Sequence, residues 1–281
     1  MRIKNKKLRI FLSRKVSVGA LLVLMLMVFG AIAGPSLIMH DPMALNAHNR
    51  LQGVSWDHWM GTDAFGRDIF TRLVHGAPIS MGLALFGVSI GFIFGLVFGI
   101  ISGYYGGLLD ALLSRAIDFL MAIPPLMIGI FSLIILGSGG INTGIAVGIS
   151  SIPLFMRMTR GQVIIIKNLD YVKSSRMIGL SDFRIIITHI LPGIMPLIVV
   201  TFTLQLGMAL LLSSTLSFLG IGVNPPTPEW GSIMADSRTR MLSFPLGTIA
   251  PGIAITLFVM CTSLIGDGLR DAFDTKTVEE A

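Results

Sequence analysis

The feature that most limits the possible folds is a set of long apolar runs without a charged residue. Val16–Met39 is the first such run, and Gly76–Leu109 is the second. About 20 apolar residues cross the hydrocarbon of a bilayer, where a helix satisfies its own backbone hydrogen bonds. Only 13% of the residues are charged, against about 25% in soluble domains. The sequence therefore predicts an all-α membrane protein.

Charges and turn residues divide the apolar sequence into six predicted spans within a transmembrane domain of residues 16–268. The spans cover approximately residues 16–39, 78–103, 116–137, 141–157, 194–219 and 246–266. Inside the third span, Pro124 and Pro125 predict a kink, because proline removes a helical hydrogen bond. The first run has a second interpretation, a secretory signal cleaved at Ala31–Ala33, which its length disfavours.

The distribution of basic residues predicts which segments face the cytoplasm. Residues 1–15 form a tail with seven Lys or Arg and no acid, as expected of a segment on anionic lipid, with Leu8, Phe11 and Leu12 at the interface. If the N-terminus is inside, this tail, the turn at 104–118, the stretch at 157–192 and the C-terminal tail hold 16 of the 21 basic residues. The positive-inside rule then places both termini, including residues 269–281, in the cytoplasm.

The stretch Arg157–Pro196 is too basic to lie within the membrane, and it contains the predicted cytoplasmic loop of residues 157–193. Asp170 is predicted to cap a short helix that follows it directly, because a short carboxylate accepts free N–H groups of a first turn. Gly179 is predicted to end that helix in a left-handed conformation. A second helix is predicted from Ser181, as its cap, to Leu191, where Pro192 stops it.

The first short helix presents one face that combines bulky and small side chains. Its members at i, i+3, i+4 and i+7 are Tyr171, Ser174, Ser175 and Ile178. Two small hydroxyl residues between two large ones predict a knob that fits a groove on another protein. An ordinary solvated loop helix is the alternative.

The predicted outer loop of residues 40–77 contains Trp56, Trp59 and the string GTDAFGRDIFTRL. We expect Asp63 to cap a turn and Arg67 to pair with Asp63 or Asp68, so that these residues order the loop. Three histidines in the first part of the loop, His40, His48 and His58, could suggest a metal site. Because their spacing is irregular and no carboxylate pattern accompanies them, we expect exposed histidines rather than metal ligands.

Five glycines recur every fourth residue in the second span. They are Gly87, Gly91, Gly95, Gly99 and Gly103, called the glycine stripe below. Four helical residues advance by about 400°, so the five glycines share one slowly drifting face. A face without side chains lets another helix approach closely, which favours packing inside a membrane.

The fifth span contains a polar patch. Its members are Gln205, Ser213, Ser214, Thr215 and Ser217. These side chains either line a path for a polar solute or form hydrogen bonds between helices, and the residues alone leave both interpretations open.

Three motifs together resemble one family of membrane proteins. Tyr-Val-x-x-x-Arg-x-x-Gly-x-Ser from Tyr171, followed by Ile-Leu-Pro, resembles the cytoplasmic coupling loop of ABC-importer permeases, in particular the dipeptide, oligopeptide and nickel branch. The string GDGLRDAFDTK is similar to the C-terminal signature of that branch. The outer-loop hallmark Gly-Thr-Asp-x-x-Gly-Arg-Asp is matched by Gly61, Thr62, Asp63, Gly66, Arg67 and Asp68.

One position departs from the family pattern. Such permeases usually carry Glu-Ala-Ala where this chain has Lys173, Ser174 and Ser175. The substitution keeps two small residues and reverses one charge, so the contact of the family's Glu does not carry over.

The resemblance implies a fold, partners and a set of coupling residues. The fold is the type I importer permease, with six transmembrane helices and a short cytoplasmic coupling helix, in a bacterial or archaeal cytoplasmic membrane. The implied partners are a second related permease, two ABC ATPases that use ATP and Mg, an extracytoplasmic binding protein and membrane lipid. The substrate would be a peptide or, alternatively, nickel or a metal chelate. The implied ATPase-coupling residues are Asp170, Tyr171, Val172, Lys173, Ser174, Ser175, Arg176, Ile178, Gly179 and Ser181.

Several other functions are disfavoured by the residues themselves. The sequence contains no G-x-x-x-x-G-K-[S/T] motif, so we expect this chain to bind no ATP and no other cofactor. A secondary transporter generally needs an ionisable residue inside the membrane, and the predicted spans lack one at their centres. A hydrolase is disfavoured because His189, the one histidine near a span, has no evident partner serine. The basic residues lie beside apolar segments, which argues against nucleic acid as a partner.

Overall fold

The computed structural model describes residues 2–38 and 40–273, with the backbone alone for residues 2–6. The first helices are α1 (Arg2–Ser13), α2 (Lys15–Leu37), α3 (Ile69–Tyr105), α4 (Gly107–Met121), α5 (Pro125–Leu136) and α6 (Gly140–Lys167). They are followed by α7 (Asp170–Met177), α8 (Asp182–Ile185), α9 (Leu191–Phe218), α10 (Trp230–Ser237) and α11 (Leu246–Phe273). The last eight residues of the predicted C-terminal tail lie outside this description.

The prediction of an all-α membrane protein is confirmed. Among the described residues, five helical segments are long and apolar enough to cross a membrane, and α4 with α5 makes a sixth if the bent pair is one span. The bend between α4 and α5 measures 97°. It lies at Pro124 and Pro125, which cannot donate backbone hydrogen bonds, so the predicted kink is a complete break.

Most of the spanning helices extend well beyond the spans predicted from charge, and α4 begins at Gly107, inside the predicted turn at 104–118. α3 begins at Ile69, and α6 continues to Lys167 although Arg157 and Arg160 lie in its second half. Ion pairs with α4 explain why these charges do not end the helix. The guanidinium of Arg160 donates two hydrogen bonds to the carboxylate of Asp110, at 2.6 and 2.8 Å. The guanidinium of Arg157 lies 2.6 Å from the carboxylate of Asp118.

The glycine stripe packs directly on α6. A Cβ atom added at Gly91 would lie 2.5 Å from Cβ of Ser151, and one at Gly99 would lie 2.6 Å from Cβ of Thr159. The contact is mutual, because a Cβ at Gly148 of α6 would lie 2.7 Å from the side chain of Ile90. Side chains of each helix therefore occupy the space that glycine leaves on the other, which holds α3 and α6 in one register.

The start of α7 differs from the prediction, but its end follows it. Leu169 occupies the N-cap position. Asp170 is the first residue of the helix, and no side-chain hydrogen bond caps the start of α7. Gly179 has a φ of +85°, and the N–H of Leu180 donates to the carbonyl of Ser175 at 3.2 Å. This is the hydrogen bond of a Schellman motif, in which a glycine after the helix adopts the left-handed conformation.

The prediction that Pro192 stops a second helix is wrong. The chain remains helical from Asp182 to Phe218, and Ile186–Ile190 forms a π-helical turn before the proline. The N–H of Leu191 donates to the carbonyl of Ile186, five residues earlier. The wider turn changes the hydrogen-bond register just before Pro192, where its ring would meet the preceding turn of a regular helix. Ser181 occupies the N-cap position but forms no capping hydrogen bond through its side chain.

Candidate coupling site

A single buried side chain fixes α7 to the rest of the molecule. Val172 is 2% exposed, and it belongs to an apolar cluster, called the anchoring cluster below. The other buried members are Tyr104, Val163, Ile166, Ile185, Ile190, Ile194 and Ile198. These residues come from α3, α6, α8, α9 and the π-helical turn, so the buried side of α7 belongs to one apolar cluster that it shares with three long helices.

Polar contacts on two sides supplement the anchoring cluster. On one side, Oγ of Ser175 lies 3.0 Å from Nε2 of His189, and the ring of Tyr171 packs edge-on against the imidazole at 5.6 Å between centroids. On the other side, the guanidinium of Arg176 lies 5.2 Å from the centre of the Tyr104 ring. Lateral movement of α7 would therefore break its contacts with His189 on one side and with Tyr104 on the other.

The expectation that His189 has no partner serine is wrong, because the fold brings Ser175 to it. The hydroxyl of Ser175 donates to the carbonyl of Tyr171, one turn earlier, at 2.8 Å. The single hydrogen of this hydroxyl is then not available to the imidazole of His189. A serine nucleophile needs the opposite arrangement, in which the imidazole accepts the hydroxyl hydrogen. The pair therefore attaches α7 rather than activating a nucleophile.

Beyond the anchored side, α7 and the segment that leads into α8 present an exposed apolar surface, called the coupling tip below. Met177, Ile178 and Phe183 are 79%, 77% and 75% exposed, and Tyr171 is half-exposed. Lys173 lies beside this surface with a mostly exposed side chain, 3.9 Å from the carboxylate of Asp170. Of the predicted face, Tyr171, Ser174 and Ile178 are exposed, whereas Ser175 turns towards His189. An apolar tip bordered by basic residues fits a groove on a partner protein.

The outer-loop motif forms a buried ionic network that includes a residue from a distant loop. Arg67 pairs with Asp63 at 2.6 Å and with Asp236, the last acid of α10, at 2.7 Å. Arg72 lies 3.5 Å from the same carboxylate of Asp236. Asp63 also accepts the N–H groups of Phe65 and Arg67, which closes the turn. Two arginines thus join the loop before α3 to α10 through one carboxylate.

Of the two partners expected for Arg67, Asp63 is the one observed. Asp68 instead caps α3 by accepting the N–H of Thr71 at 2.6 Å, and the expectation that His58 is exposed is wrong. The second oxygen of Asp68 lies 2.9 Å from Nδ1 of His58, and His58 is buried rather than exposed. Within the described residues, no group of three or more His, Cys, Asp or Glu side chains could hold a metal ion.

Glu229 joins the adjoining ends of α3, α9 and α10, a role that the sequence did not reveal. Its side chain is fully buried and accepts hydrogen bonds from Oγ of Ser80 in α3 at 3.2 Å and Oγ of Ser214 in α9 at 3.1 Å. It also accepts the N–H of Ser232 at 2.9 Å, which caps α10. The sequence does contain a signal for the capping role of Glu229, because Glu-x-x-Ser at the start of a helix has the spacing of a capping box.

The residues predicted to line a pathway fall into two groups. Ser213, Ser214 and Ser217 are buried, and their hydroxyls bond to a backbone carbonyl, to Glu229 and to the N–H of Val223. The alternative prediction, hydrogen bonds between helices, describes Ser214 alone, because Ser213 and Ser217 bond within α9 and the turn that follows it. Gln205 instead lines an open cavity of about 440 Å³ between α4, α5, α6 and α9.

Comparison with known proteins identifies the family. Residues 95–279 match the family model described as the binding-protein-dependent transport system inner membrane component. The chain is 40% identical over 269 residues to the glutathione transport system permease protein GsiD of Pectobacterium atrosepticum, covering 95% of this chain and 89% of that protein. It is 41% identical over 262 residues to the dipeptide transport system permease protein DppC of Alkalihalophilus pseudofirmus, covering 93% and 86%.

Solved structures share the fold at low sequence identity. A chain of the inward-facing MetNI methionine ABC transporter superimposes with a TM-score of 0.59 at 18% identity, covering 73% of this chain and 98% of that one. A chain of an amino acid ABC transporter crystallised with histidines gives 0.56 at 14% identity, covering 72% and 94%. The fold is therefore that of ABC importer permeases. The chain belongs to the family of inner-membrane components of binding-protein-dependent transport systems, in its peptide-type ABC permease branch.

Proposed function

We propose that this chain is the membrane-spanning permease subunit of an ATP-driven importer that translocates short peptides. The relatives named above are described as glutathione and dipeptide permeases, which supports a peptide substrate and does not favour nickel. An extracytoplasmic binding protein would deliver the peptide to the outer loops. A second, related permease would complete the pathway, and two ATPase subunits would bind below.

The proposed orientation places both termini and α7 in the cytoplasm. It is supported by the distribution of basic residues, of which 16 of 21 fall on that side. The same orientation puts the ionic network of Arg67 and Asp236 on the outer face. In this arrangement the coupling tip is where an ATPase subunit can reach it.

The observation that carries the mechanism is the attachment of α7. Because Val172 is buried among residues of α3, α6 and α9, a force on the coupling tip is distributed to three long helices together. Closure of the ATPases on ATP would move α7, and α7 would move this group between outward- and inward-facing packings. We expect α3 and α6 to move as one body, because the close contacts along the glycine stripe oppose sliding.

Reconstitution into proteoliposomes tests this function. The chain, its partner permease and both ATPases should take up alanylphenylalanine only in the presence of ATP and the loaded binding protein. Val172→Ala should lower the number of peptides transported per ATP, whereas Val97→Ala, at an exposed position of α3, should not. ATP-dependent uptake of nickel without uptake of peptide would refute the proposed substrate.

A further inference from the structure

The N-terminal helix α1 packs against the end of the last span. Ile10 and Phe11 are each 8% exposed, and they share an apolar cluster with Cys261, Ile265 and Ala272 of α11. The prediction that Phe11 lies at the lipid interface is wrong, because this cluster covers its ring. One side of α1 is therefore bound to the helix bundle.

Polar contacts at the same place indicate the depth of α1 in the bilayer. The guanidinium of Arg14 lies 2.7 Å from the carboxylate of Asp271, and Nζ of Lys7 lies 5.0 Å from the centre of the Phe273 ring. With 28 residues, α11 is about 42 Å long, whereas the hydrocarbon of a bilayer is about 30 Å thick. The first charged residue of α11 is Asp267. The last turns of α11 therefore lie at the level of the lipid headgroups, and α1 lies beside them.

The side of α1 that faces away from α11 combines apolar and basic residues. Leu8 and Leu12 are 58% and 55% exposed and lie one helical turn apart. Arg9, in the same helix, and Lys15, at the start of α2, are also exposed. The sequence of residues 1–15 contains seven Lys or Arg and no acid. At the level of the headgroups, such a surface is complementary to an anionic leaflet, because apolar side chains enter the acyl boundary while basic side chains attract phosphate.

We infer that the exposed side of α1 binds anionic phospholipids, with Leu8 and Leu12 among the acyl chains and Arg9 and Lys15 at the headgroup phosphates. The inference does not depend on which solute is transported, and the proposed orientation makes the leaflet the cytoplasmic one. Because the other side of α1 packs on α11, the bound lipids hold the N-terminal helix and the last span together.

A second occupant to compare with lipid is the acidic sequence that follows α11. Residues 274–281 read DTKTVEEA, with three acids and one lysine, a net charge of −2. This charge is small against the seven positive charges of residues 1–15. The segment also contains one large apolar residue, Val278, whereas the exposed surface of α1 presents both Leu8 and Leu12. Anionic lipid matches this surface in both charge and apolar character.

Quenching of a fluorophore on α1 by spin-labelled lipid tests the inference. The full chain with Cys261→Ala and Ser13→Cys, an exposed position, would carry the fluorophore in phosphatidylcholine vesicles. Each Lys or Arg near an anionic surface strengthens binding about fivefold. At low ionic strength, phosphatidylglycerol with a nitroxide near the headgroup should therefore quench severalfold more than phosphatidylcholine with the same label. The difference should shrink in about 1 M salt, which screens charges at the surface.

Matched variants separate the charge of α1 from the charge of the whole protein. Arg9→Gln with Lys15→Gln should lower the preference for phosphatidylglycerol severalfold. Arg50→Gln with Arg240→Gln makes the same change in charge at exposed positions of the loops at the other end of the molecule, and it should leave the preference unchanged. A fluorophore at Ile32→Cys, exposed on α2, should be quenched equally by the two lipids.

Three results would overturn the inference. Equal quenching by the two lipids at Ser13→Cys, or quenching by neither, would show that α1 does not select anionic lipid. A preference that persists in Arg9→Gln with Lys15→Gln would assign the attraction to other charges. A preference that appears only after deletion of residues 274–281 would make that acidic segment the occupant of the surface.

Discussion

The hydroxyl of Tyr104 donates a 2.6 Å hydrogen bond to the carboxylate of Asp182. Tyr104 lies in the last turn of α3, and Asp182 begins the helical segment that follows α7. Arg176 of α7 lies close to both partners, 3.7 Å from Asp182 and above the Tyr104 ring. The end of α3 is therefore bound to both sides of the turn at Gly179, and this contact offers a direct route from α7 into the membrane domain.

Tyr104→Phe should remove the hydrogen bond to Asp182 and leave the anchoring cluster packed, because phenylalanine keeps the buried ring. A hydrogen bond to a charged group contributes about 1.5–3 kcal/mol. We expect lower stimulation of ATP hydrolysis by the loaded binding protein in the reconstituted complex. The control is Tyr105→Phe, at an exposed ring next to it. Equal stimulation in the two variants would exclude this hydrogen bond from coupling.

Gly179→Leu should insert into the membrane normally but reduce substrate-stimulated ATP hydrolysis. A leucine at the φ of +85° found there is strained by about 1–2 kcal/mol, so the turn after α7 should change shape. Gly161→Leu is the matched control, because Gly161 lies in α6 with open space around it. Unchanged hydrolysis and uptake in Gly179→Leu would count against the coupling role of α7.

Gly99→Ala should destabilise the α3–α6 pair, because the new methyl group would lie 2.6 Å from Cβ of Thr159. Overpacking of this kind costs about 1–3 kcal/mol. The thermal midpoint of the purified protein in detergent should fall. Gly82→Ala in the same helix meets no atom within 4 Å, and its midpoint should stay at the wild-type value. A similar fall in both variants would reject the proposed tight contact.

Lys173 is expected to face an acidic or neutral groove on the ATPase subunit. Its contact with Asp170, at 3.9 Å between exposed groups, is worth little, so the charge is available to a partner. Lys173→Glu should weaken binding of the ATPase. A double-mutant cycle with acidic residues of the ATPase groove measures the interaction, and zero coupling to every such residue would reject this expectation.

Asp236→Asn should destabilise the outer loops, because Arg67 and Arg72 would keep their buried charges and lose a shared carboxylate. Removing one partner of a fully buried ion pair costs about 3–5 kcal/mol, and the loss here should be smaller because Asp236 is 26% exposed and Arg67 keeps Asp63. We expect a lower thermal midpoint and faster proteolysis of residues 40–68. Asp57→Asn, at an exposed position of the same loop, provides the control and should change neither measurement.

The apolar spans and the break at Pro124 and Pro125 were predictable because the bilayer imposes simple rules, whereas the break predicted at Pro192 does not exist. Apolar length gave the spans, Pro124 and Pro125 gave the break, and Gly179 gave the end of α7. Helix limits were less predictable where charged residues have distant partners. Arg157 and Arg160 continue α6 because α4 supplies Asp118 and Asp110, and sequence periodicity contains no information about that pairing.

The candidate sites were predictable where they depend on residues that are neighbours in the sequence, and not where they depend on residues far along the chain. The exposed knob of α7 depends on neighbouring residues, so the sequence indicated it, but its anchor at Val172 depends on helices far along the chain. Asp170 was expected to cap α7 and does not, since Leu169 takes that position. The joining of Arg67 to Asp236 and the meeting of Glu229 with Ser80 and Ser214 require the folded chain.

The most direct test of coupling through α7 is photo-crosslinking from its exposed tip. Ile178→Cys in a Cys261→Ser background would be labelled with a photoactivatable maleimide in the assembled complex. We predict labelling from the cytoplasmic side and a cross-link to an ATPase subunit, with none from Ile134→Cys on the exposed face of α5. Labelling from the outer side alone, or a cross-link to the binding protein, would contradict the proposed role of α7.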